Sequence, residues 1–80
     1  MITPDEAEIL ANAAATEYVK ACGCATHEDI ANVLMKLASM CGVGMAAVVG
    51  RDDAVQRLLG CANYVNQTQP MWPWKKEPIQ

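Results

Sequence analysis

The chain has 80 residues, a formal net charge of −3 and a pI of about 4.8. A single domain of this size buries only a modest core, so small domains commonly gain stability from a metal ion, a disulfide or a partner subunit. The acidic balance argues against a basic surface for duplex nucleic acid, and we expect no such binding.

The first predicted helix covers residues 4–22. Thr3 stands at the N-cap, Pro4 takes the first helical position, and Glu6 completes a capping box. Gly23 follows as the left-handed residue that commonly ends a helix. The face predicted to pack inward is mostly alanine and consists of Ala7, Leu10, Ala11, Ala14, Tyr18, Ala21 and Cys22, with Thr16 on the opposite side.

The second predicted helix covers residues 27–41, with Thr26 as its N-cap and Asp29 as the capping-box carboxylate. Its apolar stripe consists of Ile30, Val33, Leu34, Leu37, Met40 and Cys41. Two glycines follow closely, and each costs about 1 kcal/mol in a helix interior, so we predict a break there. A short helical piece is predicted over residues 45–49.

The third predicted helix covers residues 52–66. Its apolar face consists of Val55, Leu58, Leu59, Ala62 and Val65. The composition then changes to a proline-rich segment, which predicts the end of regular structure near Gln67. The fold class is therefore all-α: a three- to four-helix domain over residues 1–67 and an extended, Pro/Trp-rich tail over residues 68–80.

The acidic residues have a local explanation. Six of the nine lie in or beside the first turn of a predicted helix, where the helix dipole favours negative charge: Asp5, Glu6, Glu28, Asp29, Asp52 and Asp53. A carboxylate surface that mimics nucleic acid would instead spread its charges over one face.

The tail is the strongest candidate for a binding element. Both tryptophans of the chain lie in it, and proline restricts it to extended geometry, which reduces the entropy lost on docking. The predicted partner-binding residues are Met71, Trp72, Trp74, Lys75 and Lys76. Three alternatives are open for the surface that the tail binds: the helices of its own chain, a homo-oligomer interface, or a foreign protein.

A second candidate surface is rich in small residues. Glycine and alanine between residues 42 and 50 permit close helix contact, within the fold or across a symmetric dimer. The predicted oligomer interface consists of Gly42, Gly44, Met45 and Ala46.

The cysteines and the single histidine neither establish nor exclude a metal site. Cys22, Cys24, His27 and Cys41 are ligand types that zinc accepts, but the spacing of the first two is too short for a common zinc motif. Packing explains cysteines on apolar stripes. A Cys24–His27 nucleophile pair lacks an orienting group and an oxyanion site. We therefore predict no metal ligand, cofactor or catalytic residue, and a protein that is not an enzyme.

The chain shows no secretory pattern, and no apolar run approaches the length of a membrane span. We expect a cytoplasmic protein with reduced cysteines and no membrane contact. In size, acidity and helical pattern, it resembles the small accessory and anti-defence proteins of phages and mobile elements, which occlude a larger host protein. That resemblance assigns no residue.

The leading functional hypothesis is a non-enzymatic protein–protein interaction module. It is homo-oligomeric and regulates or inhibits a larger bacterial partner. The alternatives are an oligomer that binds a nucleotide or metabolite between subunits, and a zinc-stabilised structural module.

Overall fold

A computed structural model describes residues 1–68, which contain three α-helices and no β-strand. The helices are α1 (Pro4–Cys22), α2 (His27–Val49) and α3 (Arg51–Gln67). The predicted all-α class is confirmed for this part of the chain. The predicted tail lies outside the described residues except for Thr68, whose backbone is extended at φ −109° and ψ 133°.

The described residues divide into two compact units, Met1–Leu34 and the residues from Met35 onward. The first unit contains α1 and the N-terminal turns of α2. The second contains the rest of α2 and the whole of α3. This division does not test where the predicted domain over residues 1–67 begins or ends, so both bounds stay predictions.

The start of α1 confirms the predicted capping box. The Thr3 hydroxyl accepts a hydrogen bond from the Glu6 N–H at 3.2 Å, and the Thr3 N–H donates to the Glu6 carboxylate at 2.9 Å. These bonds favour the charged carboxylate and hold the pKa of Glu6 below its usual value. At the other end, Gly23 adopts φ 67° and donates its N–H to the Lys20 carbonyl, as predicted for a C-terminal glycine.

The start of α2 is capped in the same reciprocal way. The Asp29 N–H donates to the Thr26 hydroxyl at 3.0 Å, and the Asp29 carboxylate accepts from the Thr26 N–H at 3.1 Å. The same carboxylate accepts from the Ala25 N–H at 3.0 Å. The predicted cap is confirmed, and the third bond fixes the short connection between α1 and α2.

The predicted break after residue 41 is wrong, because α2 continues without interruption to Val49. Gly42 is buried against Leu58 of α3, and a Cβ built on it would lie only 2.8 Å from Leu58 Cδ1. The close approach that glycine permits here offsets its low helix propensity. The actual break comes at Gly50, which adopts φ 92°.

The first unit packs around a side of α1 that shares only Tyr18 with the predicted face, since the other predicted residues are exposed. Val19 is its buried hydrophobic residue at 7% exposure, and Thr16 is half-buried, whereas Leu10 is 59% exposed. The Tyr18 hydroxyl donates to the Val33 carbonyl at 2.9 Å and joins α1 to α2. An alanine-rich helix has weak amphipathicity, so these specific contacts determine which side faces α2.

Burial raises the pKa of Tyr18 above its ordinary value of 10.0, and neighbouring cysteines add to the shift. Since folding favours the protonated phenol, its contribution is fully present below about pH 10 and is lost as the pH rises through the higher folded-state pKa. We expect wild type to be more stable than Tyr18→Phe at neutral pH, with a difference that shrinks above pH 10. Urea unfolding at a series of pH values measures this, and a pH-independent difference would contradict it.

Candidate interaction surfaces

Most large apolar side chains of the described residues lie on the surface. Val19 and Ala54 are the buried hydrophobic residues in residues 1–68. The exposed large ones are Met1, Ile2, Ile9, Leu10, Met35, Met40, Val43, Val48, Val49, Val55, Leu59, Tyr64 and Val65. Where such side chains form a contiguous patch, they indicate a site of protein or membrane interaction.

The first such patch lies on the C-terminal half of α2. Met40, Val43, Gly44 and Ala47 are all exposed and are spaced i, i+3, i+4 and i+7, which places them on one side of the helix. A Cβ built on Gly44 would meet nothing within 4 Å, so this side is open to a close neighbour. We call these four residues the outer α2 face.

The predicted oligomer interface is divided by the structure. Gly42 is buried against α3, and Met45 and Ala46 are half-buried, whereas Gly44 is exposed. Gly42 is therefore engaged in a contact within the chain. Whether the other predicted residues contact a second copy stays a prediction.

The sequence pattern assigned Met40 to the inward stripe of α2, whereas the structure exposes it on the same side as Val43 and Ala47. The spacing of these three residues identifies the outer α2 face once the inward-facing residues of α2 are known. The spacing could be used only if the helix was known to continue beyond Gly42.

The second patch lies along α3. Leu58 is half-buried and Ala54 is buried, but the rest of the predicted apolar face is exposed, with Leu59 at 57% and Val65 at 71%. We call Val55, Leu59, Ala62 and Val65 the α3 face. Asp52 precedes Val55 by three residues and Leu59 by seven, so its carboxylate lies at the N-terminal end of the same side of the helix.

The cysteines form neither a disulfide nor a metal-binding cluster within the described residues. All four are free thiols, and residues 1–68 contain no group of three or more His, Cys, Asp and Glu side chains placed to hold a metal ion. Burial raises the pKa of the Cys24 thiol, and the charges of Cys22 and Asp29 add to the shift. This is the opposite of the lowered pKa that activates a nucleophilic cysteine.

The continuity of α2 corrects the expectation that no apolar run is long enough for a membrane span. At 23 residues, with an 18-residue window of mean hydropathy 1.6, α2 passes that test by length and composition, and 6% of the window is buried. The core helix of a soluble protein and a signal sequence pass the same test. Lys36 lies inside the helix, and a charge is costly at membrane depth.

The predicted partner-binding residues Met71, Trp72, Trp74, Lys75 and Lys76 lie outside the described residues. Their role stays a prediction. No protein family model, curated protein or solved structure matches the chain.

Proposed function

We propose that the chain is a non-enzymatic, self-associating interaction module that acts in the cytoplasm. In this proposal it regulates or inhibits a larger bacterial protein, in the manner of phage accessory proteins. The supporting observation is the exposure of large apolar side chains on all three helices, while two hydrophobic residues of the described part are buried. Contact with other protein surfaces removes this apolar area from water.

The outer α2 face is the proposed contact with a second copy. Its open glycine permits close helix approach, and Met40 and Val43 supply apolar side chains that are 54% and 64% exposed. The tail and the α3 face are then available for other contacts. Nothing in this arrangement requires a cofactor.

Val43→Glu is expected to convert the oligomer into monomers, because a carboxylate at a protein contact must lose its hydration without gaining a partner. Asn32→Glu adds the same charge at another exposed position of α2 and is expected to keep the wild-type subunit number. Native mass spectrometry on protein purified without chelator measures the subunit number and detects any bound metal ion or small molecule. Identical subunit numbers for wild type and Val43→Glu would contradict the proposed contact.

The length and hydropathy of α2 favour a second candidate function, a membrane-associated protein with α2 in the bilayer. Flotation with lipid vesicles distinguishes the two candidate functions. If the purified chain floats with lipid vesicles in a density gradient, the second candidate replaces the first. If it stays with the soluble fraction as an oligomer, the interaction module is supported.

A further inference from the structure

We propose that Cys22 and Cys24 form a dithiol site that reacts with small disulfides of the glutathione type and closes into a Cys22–Cys24 disulfide. The site lies inside the first compact unit, where α1 ends and the connection to α2 begins. Both cysteines are free thiols, the form expected in a reducing cytoplasm. This goes beyond the proposed function, because the reaction needs neither a second copy nor a protein partner.

Gly23 brings the two cysteines to the separation that a disulfide requires. Its φ of 67° and ψ of 41° are left-handed helical values. The left-handed helix is the mirror image of the right-handed one, so this conformation also places the flanking Cα atoms about 5.4 Å apart. Cα atoms joined by a disulfide usually lie about 4.4–6.8 Å apart. The separation of Cys22 and Cys24 therefore falls near the middle of that range.

The left-handed conformation also sets the direction of the two side chains. In a right-handed helix, side chains two positions apart do not face each other. Gly23 reverses the rotation of the backbone, so the Cα–Cβ bonds of Cys22 and Cys24 converge instead of pointing apart. Residues other than glycine seldom adopt this conformation, and β-branched residues are strongly disfavoured in it. Glycine at this position therefore both ends α1 and pairs the two thiols.

Tyr18 lies beside both thiols. It precedes Cys22 by four residues and therefore lies on the same side of α1. Burial, and after it both thiols, raise the pKa of Tyr18, whereas burial and then the charge of Cys22 raise the pKa of the Cys24 thiol. The Tyr18 hydroxyl is itself held by its hydrogen bond to the Val33 carbonyl. The two sulfurs thus share one small region beside a fixed group.

The exposure of the two thiols assigns their order of reaction. Cys22 is exposed, whereas Cys24 is half-buried, and burial raises the pKa of its thiol. Because the thiolate is the nucleophile, Cys22 reacts first with a disulfide from solution. Cys24 reacts second, within the chain. An accessible thiol beside a second thiol that resolves the first adduct is the arrangement of redox-responsive cysteines.

The reaction consists of two thiol–disulfide exchanges. The Cys22 thiol loses its proton, and its sulfur attacks one sulfur of glutathione disulfide. The glutathione S–S bond breaks, a bond between Cys22 and one glutathione forms, and the other glutathione leaves as a thiolate. The Cys24 thiol then loses its proton, and its sulfur attacks the Cys22 sulfur and releases the second glutathione. The two departing thiolates take up two protons, so two protein thiols are oxidised and one glutathione disulfide is reduced.

Trypsin digestion and mass spectrometry test the site in the wild-type chain. Cleavage after Lys20 and Lys36 leaves both cysteines in one peptide, residues 21–36, and the other two cysteines of the chain in separate peptides. The protein is equilibrated with reduced and oxidised glutathione, and the remaining thiols are alkylated before digestion. We expect the 21–36 peptide to lose two hydrogen atoms and to carry no glutathione. In Cys24→Ser the second exchange is impossible, so we expect glutathione to remain on Cys22.

The same equilibrium in concentrated urea distinguishes the folded geometry from the short spacing in the sequence. We expect folding to raise the ratio of disulfide to dithiol about tenfold or more, because it holds the two sulfurs in position. Gly23→Val disfavours the left-handed conformation and is expected to remove that gain. Gly60→Val is the matched control, since Gly60 lies within α3 and a Cβ built on it would meet nothing within 4 Å. It is expected to keep the gain.

Circular dichroism of each variant shows whether the helices persist, so that loss of the left-handed geometry is distinguished from unfolding. The proposal is overturned if the wild-type 21–36 peptide carries glutathione instead of an internal disulfide, or is joined to another peptide. Equal ratios in the folded and the urea-unfolded chain, or a gain that Gly23→Val retains, would also overturn it. None of these results depends on the subunit number, so the proposed self-association is tested separately.

Discussion

Replacing Gly42 by leucine is expected to destabilise the second unit, whereas the same replacement at Gly44 is not. A side chain at Gly42 would displace Leu58, because even a Cβ would lie 2.8 Å from Leu58 Cδ1. Forcing a large side chain into a packed site typically costs about 1–3 kcal/mol. At Gly44 a Cβ would meet nothing within 4 Å, so leucine is expected to keep or improve the stability of the helix.

The pair is a controlled comparison, because both variants gain the same helix propensity on the same helix. At concentrations where both variants are monomeric, the difference between their free energies of unfolding isolates the contact with Leu58. Urea unfolding followed by circular dichroism measures it, at two protein concentrations so that any change in self-association is recognised. Equal unfolding midpoints for the two variants would show that Gly42 does not face α3.

The second large effect is expected from Val19→Asp in the first unit. Val19 is 7% exposed, so the new carboxylate would be buried without a designed partner, at a cost of about 3 kcal/mol or more in the free energy of unfolding. Leu10→Asp, on the same helix, is the control. Leu10 is exposed, so we expect a loss of no more than about 1 kcal/mol, mostly from the lower helix propensity of aspartate.

Thermal and urea unfolding of the two variants measure this difference, and the result also decides which side of α1 faces inward. The sequence pattern predicts that Leu10 lies on the buried face, whereas the structure places Val19 there. A greater loss of stability in Leu10→Asp than in Val19→Asp would therefore contradict the structure and support the pattern.

The sequence by itself determined the features that depend on neighbouring residues. The capping boxes at Thr3 and Thr26 and the left-handed Gly23 follow from hydrogen bonds between groups at most four residues apart. The helix starts and the acidic first turns follow for the same reason. The ends of α1 and α3 were predicted to within one residue.

Only the tertiary structure decided the features that depend on what a helix packs against. Whether Gly42 breaks α2 depends on Leu58, which is sixteen positions away in the sequence and close to Gly42 in space. The inward side of α1 depends on the Tyr18–Val33 hydrogen bond rather than on its alanine pattern. Propensity is a local free-energy preference of about 1 kcal/mol per residue, so a single close contact between helices is enough to override it.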